Sequence, residues 1–240
     1  MLINGFEFLL RGGWIMYPLF VLAVVSVTVM LERSFFLKSV SVDTEKLMDE
    51  VKKLVVADKV GSAIELCERT KGPVAALLAN GLRNEHLSTA GIERAMEELA
   101  LRETPVLYKR LGILDTVITM APLLGLLGTI TGMIKAFSVV AGPDAATQAG
   151  AITGGVGGAL IATATGLAIA VTTLPVYNYL SERVKEIISE METRATQLLN
   201  IFANRQDERE RAAGHLNGAH VDGATSAKAT PRAATPAGSK

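Results

Sequence analysis

The sequence predicts an all-α membrane protein: three transmembrane helices with a helical cytoplasmic domain, and extended helices continuing from spans two and three. Three observations predict it. Apolar residues gather in three blocks, each long enough for a bilayer crossing, which takes about 20 residues. Charged residues make up 20% of the 240 residues yet are nearly absent from those blocks. Lysine and arginine then fall almost wholly on one side of the topology that three crossings create. The mean hydropathy of +0.33 would also suit a soluble domain, so the distribution decides and the average does not.

The first span is placed at 14–33. Its apolar run "WIMYPLFVLAVVSVTVML" carries Trp14 and Tyr17 at one interface, and Glu32 and Arg33 mark the other. Glu7 and only Arg11 precede it, and no small-residue cleavage site follows, so it reads as an uncleaved span and not a signal peptide. Span two is placed at 115–140 and span three at 151–180. The 141–150 link between them is short, with Gly142-Pro143 as a helix stop, which makes the two spans an antiparallel hairpin.

Residues 34–114 and the segment after span three carry most of the lysines and arginines. The 141–150 link carries none, and the 1–13 arm has only Arg11. The arm and the link therefore face outside, and the two cationic segments are cytoplasmic.

The cytoplasmic segment 34–114 reads as helices. "TEKLMDEVKKLVV" puts Leu47, Val51, Leu54 and Val55 on one face. Gly72-Pro73 punctuates, Ser88 or Thr89 caps the next helix, and Pro105 is expected to kink or interrupt it. Cys67, the one cysteine, lies on the apolar side of a helix and reads as a buried structural thiol. The 181–211 helix bears a stripe of Val184, Ile187, Ile188, Met191, Ala195, Leu198, Leu199 and Phe202, which packs on the 34–114 helices, on neighbouring copies, or on both. Residues 212–240 are rich in Ala, Gly, Thr, Pro and Ser without an apolar period and read as a disordered tail. His215 and His220 fall there, with too little around them to suggest a metal site.

Spans two and three are unusual for their small residues. Span two offers Gly125, Gly128, Gly132 and Ala136; span three offers Gly154, Gly158, Ala162, Gly166 and Ala170, each four apart. Lipid supplies little hydrophobic drive between helices, so close packing substitutes, and small residues permit it. Thr129, Thr131, Thr163, Thr165, Thr172 and Thr173 accompany them. A threonine in such a helix ordinarily bonds back to a carbonyl one turn earlier, but clustered hydroxyls at mid-membrane depth also suit a bundle interior or a wet cavity. No Asp, Glu, His or Arg lies in the central part of either span, so the chain alone provides no titratable relay there. Lys135 lies near the outer end of span two, where it can snorkel. Asp115 lies near the cytoplasmic end, in the headgroup region or at the mouth of a cavity.

"APLLGLLGTITGMIKAF" followed by "ALIATATGLAIAVTTLPVYNYL" resembles the MotA/TolQ/ExbB proton-channel family, on its ExbB and TolQ side; "ERSFFL", "GPVAALLANGL" and the 181–211 helix fit it as well. The resemblance implies a homopentamer in the bacterial inner membrane, with a periplasmic N-terminus and a cytoplasmic C-terminus. It implies a pore lined by spans two and three around the single transmembrane helices of an ExbD- or TolR-like partner, whose aspartate carries protons. The work would reach a TonB- or TolA-like envelope protein. Thr129 and Thr163 match the family's pore threonines, and Gly125, Gly128, Gly132, Gly158, Ala162 and Gly166 would form the helix-packing pore wall. ExbB proper has a glutamate where this chain has Gly158.

Sodium in place of protons, and a non-conducting scaffold, are the competing readings. A flagellar stator of the MotA kind has four spans, against three here. No cofactor or metal is implied. An enzyme is disfavoured because the sequence shows no nucleophile–base pair, metal-ligand cluster or phosphate loop; "GGVGG" at 154–158 lacks a P-loop lysine.

Overall fold

The structure, a computed structural model, describes residues 12–140 and 149–226. Most of the expected outer arm, most of the 141–150 link and the 227–240 end of the expected tail lie outside the described residues. Among the described residues seven helices follow one another: α1 (Met16–Val40), α2 (Thr44–Val56), α3 (Val60–Arg69), α4 (Pro73–Arg83), α5 (Thr89–Tyr108), α6 (Leu111–Val140) and α7 (Ala149–Ser226). Three helical stretches among the described residues are long and apolar enough to cross a membrane, and α1, α6 and α7 carry them.

The local signals in the sequence account for most helix starts. Asp43 caps α2, its Oδ1 accepting from the Lys46 backbone N–H at 3.2 Å. Pro73 opens α4 at a first-turn position, where a missing N–H costs nothing. Ser88, and not Thr89, caps α5, accepting from Gly91 N–H at 3.3 Å. Gly72, at φ +122°, makes the turn into α4; a Cβ there would sit 2.6 Å from the carbonyl oxygen of Val40.

One apolar core joins α2–α5 to the lower half of α7. Leu47, Val51, Val55, Ala63, Cys67, Leu78, Leu82 and Met96 pack there with Val184, Met191 and Leu198. The stripe read on 181–211 is thus packed on the same chain's helices, with Ile188, Ala195 and Leu199 only partly covered along a groove of about 430 Å³. The core continues upward through Val29, Leu37, Leu111, Leu114 and Leu180, so α1, α6 and α7 enter the apolar zone already packed together.

Two boundaries differ from expectation. Pro105 sits inside α5 without ending it. The carbonyl of Leu101, which loses its partner to the proline, belongs to an exposed residue that water can serve. The chain breaks instead at Lys109, which is extended, and Arg110, which is left-handed at φ +67°. Such a backbone costs roughly 1–2 kcal/mol. Arg110 is held by Glu32 of α1 at 3.1 Å, and Glu32 also faces the buried Arg33 at 3.3 Å. The Arg33 guanidinium lies 5.0 Å over the Phe36 ring.

The second difference is the end of α7. Residues 212–226, expected as tail, continue the helix. Ala212, Ala213, Ala219 and Ala224 are strong helix formers, and extending a helix needs no new nucleus.

Burial pushes the Cys67 thiol up to about 11, with neighbouring Glu68 adding to the shift. Below the roughly 8.5 of an exposed thiol, both folded and unfolded chains hold the proton. Between that value and about 11 only the folded chain does, so stability falls as pH rises through this window. Iodoacetamide should therefore label native protein at pH 8.5 at least about tenfold more slowly than urea-unfolded protein. Equal rates would place Cys67 outside the core.

Candidate functional site

The α6–α7 hairpin packs backbone closely against backbone. A Cβ added at Gly166 would lie 2.3 Å from the backbone oxygen of Ala121. One at Gly125 would lie 2.9 Å from the Cα of Thr163, and those at Gly128 and Gly132 would meet the Cβ atoms of Ala162 and Ala159, each at 2.6 Å. These are contacts that no residue larger than glycine makes without moving a backbone. The small residues of span two are therefore explained as a seam against span three within one chain.

The seam on α7 departs from the expected ridge. Gly158, Ala162, Gly166 and Ala170 are buried as read, but Gly154 is exposed and faces open space. At that level Gly155 and Ala159 turn inward. The reason is helical drift: each step of four residues overshoots a full turn by about 40°, so four steps leave one face. Gly158 also borders a cleft of about 190 Å³ with Trp14, Ile15, Thr131 and the exposed Lys135.

The seam decides what Thr163 does. Its hydroxyl does not bond back along α7; it donates across the seam to the Gly125 carbonyl at 2.8 Å. The missing Cβ of Gly125 is what lets the two helices come close enough. Thr129 bonds back within α6, donating to Leu126 O at 2.7 Å. Thr131, Thr165 and Thr172 also donate to carbonyls of their own helices. Thr173 donates to Ile169 O at 2.7 Å and is 2.8 Å from Ser26 Oγ on α1. Because the Thr173 proton is committed, Ser26 is the donor of that buried bond. The sequence gives little sign of Ser26: it shares the valine run of span one with Thr28, which bonds back to Val24 O while Ser26 does not.

α1 closes one side of the hairpin. Ile15, Met16 and Leu19 pack with Ala121 and Ala162, and Ser26 reaches Thr173 lower down. At 100° per residue, the opposite flank of α6 carries Leu126, Thr129 and Met133, and the matching flank of α7 carries Thr163 and Leu167. Leu126, Met133 and Leu167 are exposed, while Thr129 and Thr163 are half-buried. The two threonines singled out in the sequence thus share the open side of the seam, away from α1.

Residues 69–193 match the MotA/TolQ/ExbB proton channel family. The chain belongs to this family. It is 30% identical over 207 residues to a putative biopolymer transport protein, ExbB-like 3, of Synechocystis, covering 85% of this chain and 99% of that one. It is 33% identical over 174 residues to an ExbB-like 1 protein of the same organism, covering 71% and 68%. A shorter stretch of 97 residues is 40% identical to the Tol-Pal system protein TolQ of Haemophilus influenzae, covering 40% of this chain and 42% of TolQ.

The seam predicts opposite outcomes for two glycines on α7. Gly166→Ala should cost about 1–3 kcal/mol by overpacking, because its methyl meets backbone. Gly157→Ala, with nothing within 4 Å, should be neutral or slightly stabilising. Thermal unfolding of the detergent-purified variants measures both. A Gly166→Ala variant as stable as Gly157→Ala would mean that the helices are not in this contact.

Proposed function

We propose that this chain is an ExbB/TolQ-like subunit of a motor in the bacterial inner membrane, driven by the proton-motive force. Copies of it, five by family resemblance, surround the single transmembrane helices of an ExbD- or TolR-like partner. Proton flow through that partner's aspartate drives its movement, and the work passes to a TonB- or TolA-like protein of the envelope. The N-terminus is periplasmic and the C-terminus cytoplasmic, a reading that the lysine and arginine distribution supports.

The observation that carries this reading is the open flank. It places Thr129 and Thr163 on one side of the hairpin, where α1 does not cover them. With its proton given to Gly125, Thr163 retains lone pairs that accept from a protonated carboxylic acid. Once the acid ionises, the same hydroxyl turns from the Gly125 carbonyl to the carboxylate and donates to it. The hydroxyl thus serves both protonation states of the partner with one bond rotation. Gly125, Gly128, Gly132, Gly158, Ala162 and Gly166 form the wall behind it, and their close contacts keep the hydroxyls in place. The buried Gly158 stands where ExbB has a glutamate, so in this chain the hydroxyls and the partner's acid carry the step without that side chain.

A scaffold reading has one observation in its favour: both hydroxyls already have carbonyl acceptors within the chain. Proton uptake into vesicles holding the chain and its partner separates the two. Thr163→Val and Thr129→Val should each slow uptake about tenfold or more, equivalent to about 1.4 kcal/mol of barrier, while native mass spectrometry shows the assembly unchanged. Thr163→Ser should keep most of the rate. Valine variants that conduct like the wild type would take the hydroxyls out of the proton path, a wild-type complex that takes up no protons would favour the scaffold, and uptake that requires sodium would replace the proton.

A further inference from the structure

The outer surface of α6 divides into two stripes. Met120, Leu123, Leu127, Ile130 and Ile134 form an exposed apolar stripe suited to lipid. Asp115, Thr119, Pro122, Leu126, Thr129, Met133 and Phe137 fall within about 80° of arc, between that stripe and the seam. This second stripe lies on the flank that α1 leaves open. Its cytoplasmic end is a carboxylate. Between residues 111 and 181 the only acids are Asp115 and Asp144, and Asp144 belongs to the link at the far end of the hairpin. Asp115 is exposed and makes no ion pair with any described residue, although Lys109 and Arg110 stand at the nearby elbow. Arg110 is instead engaged by Glu32.

From this placement we infer that Asp115 is the proton-carrying group at the cytoplasmic end of the open flank, between the hydroxyl pair and cytoplasmic water. The inference rests on the pore reading of that flank. Fourteen residues of helix separate Asp115 from Thr129, about 21 Å, so water must bridge them, with Thr119 one turn along the way. The chemistry is transfer alone. A carboxylate oxygen of Asp115 takes a proton from the water chain, an O–H bond forms, and it breaks again as the proton passes to cytoplasmic water. No electrons change hands. By angle Asp115 falls with Thr119 and Thr129 and not with the apolar stripe that starts at Met120.

The test is proton uptake into vesicles holding the full chain with its single-span partner. Asp115→Asn should lower the rate about fivefold or more, with the assembly mass unchanged, and Asp115→Glu should restore it. A rate for Asp115→Asn within twofold of the wild type would overturn the inference and leave Asp115 a solvated surface acid. So would an Asp115→Glu variant as slow as Asp115→Asn, since shape and not acidity would then matter. If Thr129→Val abolishes uptake while Asp115→Asn does not, only the role of Asp115 fails. If the wild-type complex conducts no protons, the pore reading fails with it.

Discussion

Everything in the membrane half depends on how closely α6 approaches α7. At Gly166 the helices are so near that a single methyl group would press on the Ala121 carbonyl. That approach is what brings the Gly125 carbonyl within reach of the Thr163 hydroxyl, and it leaves the Thr129 and Thr163 side chains on a common flank. Hydrophobic burial cannot supply this in lipid, where tails are as apolar as leucine; dispersion contacts and an interhelical hydrogen bond do. Interhelical hydrogen bonds in membranes are worth about 0.6 kcal/mol each on average, so the many close contacts of the seam count for more than the Thr163 bond.

α1 and the cytoplasmic core make the seam one-sided. Ser26 fixes α1 against α7 through Thr173, and Glu32 fixes its lower end to Arg110 at the elbow between α5 and α6. The Arg33 side chain, 3% exposed, is kept from being an unpaired buried charge by Glu32 and by the face of Phe36. Below, the shared core lies against α7 where it passes α2–α5, and the helix runs on from the membrane portion into the cytoplasmic portion. A helix of 78 residues spans roughly 115 Å, enough to link events in the bilayer to the far end of the cytoplasmic domain.

The three spans were legible in the sequence because a bilayer demands long apolar runs and leaves charges only at their ends. The apolar stripe from Val184 to Phe202 and the buried Cys67 were legible from helical period alone. What was not legible were pairings between distant segments. Nothing local joins Ser26 to Thr173, or Glu32 to Arg110. The acceptor of Thr163 was missed because the local preference is to bond back along the helix, and only the seam overrides it. The inward turn of Gly155 and Ala159 in place of Gly154 follows from helical drift that a four-residue pattern conceals. At Pro105 the local rule was right about the lost hydrogen bond, but the helix is not interrupted there, because the exposed side of α5 tolerates the loss.

The central claim is that the flank opposite α1 is the side that receives the partner's helix. Photo-crosslinking amino acids at single positions test it most directly in intact cells. Probes at Leu126 and Met133, on the open flank, should form adducts with a small single-span protein bearing a membrane aspartate. Probes at Leu123 and Ile134, on the lipid stripe, should not. Adducts from Leu123 and Ile134 with none from Leu126 and Met133 would put the partner on the other face of α6 and contradict the account.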